Sequence, residues 1–234
     1  MAVTPEVLAE NVFPVLDHGF LALDGSLASD LAVVNGARVS FNQASDEMSE
    51  RDAGLIRFLM RERHGSPFEH GYFRFVVKAP LFVVREHHRH RAGHSYNEWS
   101  GRYSKMEPEF YVPENVRTQV GKPGAYSFEP VDDDVRENAQ REIEENATRA
   151  FQAYERMLEQ GVAKEVARSV LPLSTYTKYY WSCNPRSLMH FCSLRNHEAA
   201  QFEIRQYAAA AESFLERAMP VTHAAFVANE RIAP

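Results

Sequence analysis

Residues 71–90 read GYFRFVVKAPLFVVREHHRH, and the change of period inside this stretch decides the fold class. Phe73, Phe75 and Val77 alternate with Tyr72, Arg74, Val76 and Lys78, the period of two expected of a half-buried strand. Pro80 ends the alternation and suits the first position of a helix. LFVVREHHRH then begins as a buried helix and turns polar by Arg85. A strand that runs straight into a helix predicts a chain mixing both. Upstream, Leu27, Leu31, Val34 and Ala37 fall near helical spacing across 26–39, as do Leu55, Ile56, Leu59 and Met60 across 50–63.

Downstream, Gly93 and Gly101 interrupt residues 92–105, which predicts an ordered loop. EFYVP at 109–113 predicts a short strand, and 114–129, with Gly121, Pro123 and Gly124, a surface excursion. Residues 131–161 predict a long charged helix stopped by Gly161. TYTKYYWSC at 175–183 predicts another strand. Asn184 and Pro185 then suit the N-cap and first position of a helix through Leu188, Phe191, Cys192 and Leu194, continued by a long one to Met219. Helices dominate. The expected fold is α+β (mixed α/β): an antiparallel sheet packed with several long helices, in a single domain over residues 1–234.

Composition bounds the function. With 44% hydrophobic and 25% charged residues, the chain is not disordered as a whole. No apolar run approaches the roughly 20 residues that cross a bilayer. The first residues, MAVTPEVLAENVF, lack a basic n-region, so they do not read as a signal peptide, and the expectation is a cytoplasmic protein without a membrane partner. Cys183 and Cys192 are too few for a disulfide scaffold or a cysteine zinc site. A net charge of −6 argues against nucleic acid as a partner.

Yet basic residues are concentrated in one island. REHHRHRAGHSYNEWSGRYSK at 85–105 holds Arg85, Arg89, Arg91 and Arg102 with His87, His88, His90 and His94. Arginine suits planar capture of phosphate, and Tyr96 and Trp99 offer stacking surface for a ring. An extended backbone sends Arg89 and Arg91 to one side, whereas a helix puts Arg85 and Arg89 on one face. The plainer reading is a solvated charged surface. A metal site built on His90 and His94 would need a helix through Gly93, and no H-E-x-x-H motif is present, so no metal is expected. Ser100 is a nucleophile by type, but no Ser-His-Asp arrangement surrounds it.

RHRAGHSYNEWSGRYS at 89–104 resembles the signature of the flavin-dependent thymidylate synthases, an Arg-His-Arg triplet followed after seven residues by serine. Here eight residues separate Arg91 from Ser100, so the loop carries one extra residue near Gly93 and His94. ARVSF at 37–41, HGSPFEH at 64–70, EVARSVLPL at 165–173 and NPRSLMHFCSLR at 184–195 resemble further family blocks in the same order.

The resemblance implies methylation of dUMP to dTMP, with FAD as hydride carrier, NADPH as reductant and methylene-tetrahydrofolate as carbon donor. It implies FAD contacts at Ser40, Ser66, Glu69, Glu98 and the triplet Arg89, His90 and Arg91. Asn184, Arg186 and His190, the last at a usual asparagine position, would complete them. It implies dUMP contacts at Glu86, where a glutamine is familiar, and at His87, His88 and Arg89. Glu98, Trp99, Ser100, Gly101, Arg102 and Arg168 would hold the rest of the nucleotide, and Arg195 would activate the ring. The family's homotetramer, with sites between subunits, is likewise implied.

Local readings stand beside these. Ser66-Pro67-Phe68-Glu69 fits a capping box, Arg168 a surface ion pair and Asn184 a helix cap, while Arg195 suits a helix C-terminus.

Overall fold

The computed structural model describes residues 11–122 and 125–234, so the first ten residues of the stretch behind the targeting expectation lie outside the described residues. Its centre is an antiparallel sheet of five strands in the order β1-β2-β3-β7-β4. These are β1 (Val12–Val15), β2 (Gly19–Ser26), β3 (Phe73–Pro80), β4 (His94–Glu98) and, later in the chain, β7 (Tyr176–Cys183). The alternation read in 71–80 holds: Phe73, Phe75 and Val77 are fully buried, and Arg74 is exposed. β3 pairs with β7 over its whole length, Phe73 against Cys183 through Pro80 against Tyr176.

Helices cover this sheet: α1 (Asp30–Arg38), α2 (Glu50–Arg61) and α3 (Leu81–His87), then α6 (Pro185–Arg195), α7 (Phe202–Ala218) and α8 (Pro220–Ala228). Their apolar faces meet the sheet in one cluster that includes Ile56, Phe68, Trp181, Phe191, Phe214 and Phe226. A smaller cluster, Met106, Phe151, Tyr154 and Ala167, sits under the long α4 (Asp133–Glu159) and the single turn α5 (Lys164–Ala167). The α+β expectation of helices on an antiparallel sheet is met. No described helix is long and apolar enough to cross a membrane.

Several local expectations are corrected. Two strands, β1 and β2, precede α1, so the helix expected from Ser26 starts only at Asp30, behind the N-cap Ser29. Part of the expected loop at 92–105 is β4, held as an edge strand by pairing His94 with Cys183 through Glu98 with Tyr179. EFYVP contributes only one bridge, Phe110 with Thr175. The surface excursion is a hairpin, β5 (Arg117–Lys122) and β6 (Ala125–Pro130). The long helix expected to run on to Met219 is α7, set off from α6 at residues 196–201; Asn196 closes the last turn of α6 by donating its N–H to the Cys192 carbonyl at 2.9 Å, and its side chain donates to Glu212 at 2.7 Å.

Ser66 caps nothing. It lies inside a short three-ten turn whose N-cap is Gly65, and Glu69 turns away to an arginine. The capping box of this region is Ser49 with Asp52, at the start of α2.

Candidate active site

The site grows from the polar end of α3. Val83 and Val84 are buried, and the helix stops at His87, where the sequence becomes arginine and histidine. The next residues turn sharply, with His90 N–H donating to the His87 carbonyl at 3.0 Å. Tyr96 Oη pins the turn by donating to the carbonyls of His87 (3.1 Å) and His90 (2.8 Å). Gly93 follows at φ +72°, the left-handed region where glycine carries no steric cost. Its missing side chain matters twice, because a Cβ there would lie 2.2 Å from Ser187 Oγ. Ser187 Oγ donates to the Ala92 carbonyl at 3.0 Å and so stitches this loop to the first turn of α6.

Between the loop and α6 lies a cleft of about 930 Å³. Arg85, Glu86, Arg89, His90, Arg91 and His94 form one wall, and His190, Leu194 and Arg195 of α6 the other. Neither arrangement foreseen for the arginines applies alone: Arg85 from the helix and Arg89 and Arg91 from the turn reach the same cleft. Four guanidiniums and one carboxylate leave a local surplus of three positive charges.

Arg195, the last residue of α6, is held from three directions. Its Nε donates to His90 Nε2 at 3.0 Å, Nη1 to Glu86 Oε2 at 2.9 Å, and Nη2 to the Glu86 carbonyl at 3.3 Å. A guanidinium has five N–H groups, so one hydrogen remains on each Nη for a ligand. Glu86, the carboxylate standing at a familiar glutamine position, thus faces a donor. Burial raises its carboxyl above the ordinary value, and Arg195 works against that.

His90 and His94 are held uncharged by their surroundings. Burial first, then Arg195, His94 and His190, bring His90 down to about 4, which leaves Nε2 able to accept from Arg195. Burial, then His190, brings His94 also to about 4. His94 Nδ1 accepts from Trp181 Nε1 at 2.9 Å. His87 is placed behind the wall, not on it: it is 1% exposed, 4.6 Å from the Phe191 ring and 2.6 Å from Tyr179 Oη. His88 packs over Tyr96 at 4.3 Å.

The other expected site residues fall into three further places. Asn184, Arg186, Ser66 and Glu69 gather at the start of α6, where Asn184 caps the helix and Arg186 pairs with Glu69 at 2.6 Å. Glu98, Trp99, Ser100, Gly101, Arg102 and Arg168 lie beyond the opposite end of β4 from His94. There Glu98 accepts from Thr177 at 2.8 Å, and Gly101 packs against the Arg168 side chain. Trp99 joins the smaller core, and Arg102 approaches Glu165 at 3.7 Å. Ser40 is exposed on the turn after α1. The cleft therefore unites Glu86, Arg89, His90, Arg91, His190 and Arg195, and not the 98–102 group. Arg85, weighed only as a helix-face companion of Arg89, and His94, weighed only as a metal ligand, are cleft residues that the resemblance did not assign. Arg85's position one turn into an apolar helix, and the extra loop residue near Gly93 and His94, were the available signals. Among the described residues, no three His, Cys, Asp or Glu side chains converge as a metal site.

A cleft rich in guanidiniums beside neutral hydrogen-bonding rings, on an α+β frame, has the chemistry that a protein handling phosphorylated ring compounds needs. Comparison with known proteins makes this specific. The family model described as Thymidylate synthase complementing protein matches residues 23–221. The Flavin-dependent thymidylate synthase of Streptomyces coelicolor is 48% identical over 223 residues, covering 89% of this chain and 91% of that protein. That of Tropheryma whipplei (strain Twist) is 45% identical over 245 residues, covering 97% and 100%. The crystal structure of a UMP/dUMP methylase PolB from Streptomyces cacaoi bound with 5-Br dUMP superposes with a TM-score of 0.87 at 43% identity, covering 95% of this chain and 100% of that one. The chain belongs to the flavin-dependent thymidylate synthase family and is an enzyme of that class.

Proposed function

We propose that this enzyme converts dUMP to dTMP in the cytoplasm, and that the cleft between residues 85–94 and α6 is where flavin and nucleotide meet. The observation that carries this reading is Arg195, fixed by Glu86 and His90 with two N–H groups left over, facing a wall of arginines. Arg85, Arg89 and Arg91 form no ion pair among the described residues, and their guanidiniums fit the phosphates of FAD. The close backbone approach at Gly93 and the cap of α6 at Asn184 fit the same group, with Arg186 and His190 beyond them.

Bound FAD, kept reduced by NADPH, would supply the hydride, and methylene-tetrahydrofolate the one-carbon unit. The chain's own task is to make uracil C5 nucleophilic. Negative charge on the N3–O4 edge does so, and the remaining N–H groups of Arg195 stabilise that charge in a partly desolvated cleft. Neither cysteine serves as a nucleophile: Cys183 and Cys192 are 3% and 0% exposed, and burial pushes both thiols well above their ordinary value.

The 98–102 loop and Arg168 supply the nucleotide phosphate site. Because they sit at the other end of β4, roughly 13 Å of strand away, the same groups of a neighbouring copy complete each cleft. This is the reading we give to the homotetramer. Leu194, 52% exposed in the cleft wall, and Val39 and Phe41, 72% and 77% exposed on either side of Ser40, support burial against other subunits.

Tritium release from C5-labelled dUMP, dependent on NADPH and the folate, tests the activity. Arg195→Ala is expected to lower it by two or more orders of magnitude while flavin absorbance stays with the protein. Full activity in that variant refutes the ring-activating role. A second acceptor, UMP, is favoured by the 43% identity to the UMP/dUMP methylase, and the same assay with labelled UMP decides it.

A further inference from the structure

His94 lies in the part of the 89–104 loop that carries one extra residue, at a chemically informative place. His94 opens β4 opposite Cys183, with its ring near-parallel to those of Tyr96 (centroids 6.1 Å apart, 3°) and Trp181 (5.9 Å, 12°). Its tautomer is dictated by its partner. An indole nitrogen only donates, and Trp181 is 1% exposed, so no water can substitute. Since Trp181 Nε1 donates to His94 Nδ1 at 2.9 Å, that nitrogen is unprotonated and the ring hydrogen of the neutral imidazole is on Nε2. His90 has the opposite arrangement, because its Nε2 accepts from Arg195 and its hydrogen is on Nδ1. The cleft thus holds two neutral histidines with fixed and opposite polarity. His94 Nε2–H is half-buried in the wall, beside Arg91 and His190, and has no acceptor among the described residues.

We infer that His94 is a cofactor-binding residue, and that its Nε2–H donates a hydrogen bond to an acceptor oxygen of the flavin dinucleotide. The inference rests on the reading of this cleft as the flavin site. Three features point to the flavin side rather than to the nucleotide. His94 adjoins Gly93, whose backbone approaches Asn184 and Ser187 at the start of α6. It faces His190 on the same helix, across from Arg91. And β4 carries the 98–102 group away from it. A rigid, uncharged donor complements the arginines: they supply charge to phosphate, while the imidazole supplies direction. The hydrogen bond from Trp181, with the Tyr96 ring alongside, fixes that direction before any ligand arrives, so little ordering is needed on binding.

The test uses protein labelled with 15N at histidine, with the His94 signals assigned by their loss in His94→Gln. Before FAD is added, His94 is expected to carry its hydrogen on Nε2. On saturation with FAD, the Nε2–H resonance is expected to shift and its exchange with water to slow. ADP and riboflavin, added separately, divide the outcome: a shift with ADP places the acceptor in the adenylate half, and one with riboflavin in the ring half. Either supports the inference.

His94→Phe, which keeps a ring on Trp181 but has no N–H, is expected to weaken FAD binding at least about tenfold by flavin fluorescence. His94→Gln, with an amide donor, is expected to stay within about threefold. If His94→Phe fails to fold, the resonance experiment on the unmodified protein still decides. A hydrogen on Nδ1, or an Nε2–H unmoved at saturating FAD, overturns the inference. A wild-type protein that binds no FAD at all would instead refute the flavin reading of the cleft.

Discussion

Removing the Glu86 carboxylate tests how Arg195 is held. Glu86→Ala deletes the 2.9 Å bond to Nη1 and leaves the guanidinium with the Glu86 carbonyl at 3.3 Å and His90 at 3.0 Å. Both side chains are about a quarter exposed, 23% for Arg195 and 26% for Glu86, so the pair is only partly screened by water. A charge-assisted hydrogen bond in such a place contributes about 1.5–3 kcal/mol. If that energy holds the guanidinium against the developing ring charge, kcat/KM falls about 10- to 150-fold. Glu86→Gln keeps an oxygen for Nη1, and its loss should be a few-fold.

Glu86→Gln also separates from the wild type by pH. Burial raises the Glu86 carboxyl above its ordinary 4.5, with Arg195 opposing. A group raised in the folded state contributes stability that is complete below 4.5 and is lost as pH rises through the raised value. Glu86→Gln never ionises, so its melting temperature should gain on the wild type as pH climbs through that window. The wild-type rate should show an acid limb where protonation releases Arg195, and Glu86→Gln should lack it. The assay is tritium release with flavin content measured in parallel. Glu86→Ala with full flavin and a rate within twofold of wild type would refute the clamp.

Three further outcomes are expected. Gly93→Ala puts a Cβ 2.2 Å from Ser187 Oγ at φ +72°, and should lose about 1–3 kcal/mol in urea unfolding and loosen FAD; adding Ser187→Gly should restore part of both. Asp30 accepts from Val221 N (2.9 Å), Thr222 N (2.8 Å) and Thr222 Oγ1 (2.6 Å), so Asp30→Ala orphans the start of α8 and should cost about 3–5 kcal/mol in denaturant unfolding, whereas a loss under about 1 kcal/mol would contradict this. Burial alone would raise Glu203, but hydrogen bonds from Arg117 and Gln201 outweigh it and hold the carboxyl below 4.5. That stability is present above 4.5 and lost as pH falls, so Arg117→Ala should destabilise by about 3–5 kcal/mol near neutrality, with the difference from wild type shrinking in acid denaturation curves.

What was legible in the sequence is what burial writes into a regular period. β3 and β7 show their apolar faces directly, and α4 and α6 announce their ends with Gly161 and with Asn184-Pro185. β4 was missed because HSYNE has little strand character of its own; its backbone is claimed by β7 across the ladder. The β5–β6 hairpin was missed as structure because β6 is exposed throughout and so carries no alternation. The capping box was assigned to Ser66-x-x-Glu69 because the motif favours glutamate, while the chain uses aspartate in Ser49-x-x-Asp52. His87, which the resemblance placed at the nucleotide, is buried in a way its type does not announce: Tyr179 satisfies one nitrogen, and Trp181 and Phe191 enclose the ring.

The site itself was legible as an inventory of residue types and hidden as geometry. Arg195 and His90 are far apart in sequence, and tertiary contacts such as the stitch of Ala92 to Ser187 bring them to hydrogen-bonding distance. Net charge was a poor guide for the same reason. The overall value of −6 owes much to α4, whose 27 residues hold eight acidic and four basic side chains, yet α4 lines none of the cleft. Exposed charges act over about 8 Å at physiological salt, so a ligand entering between α3 and α6 meets the field of its walls. Those walls are positive by three. An anionic ligand can therefore bind tightly to a protein of its own sign, and added salt should weaken that binding through the cleft's arginines.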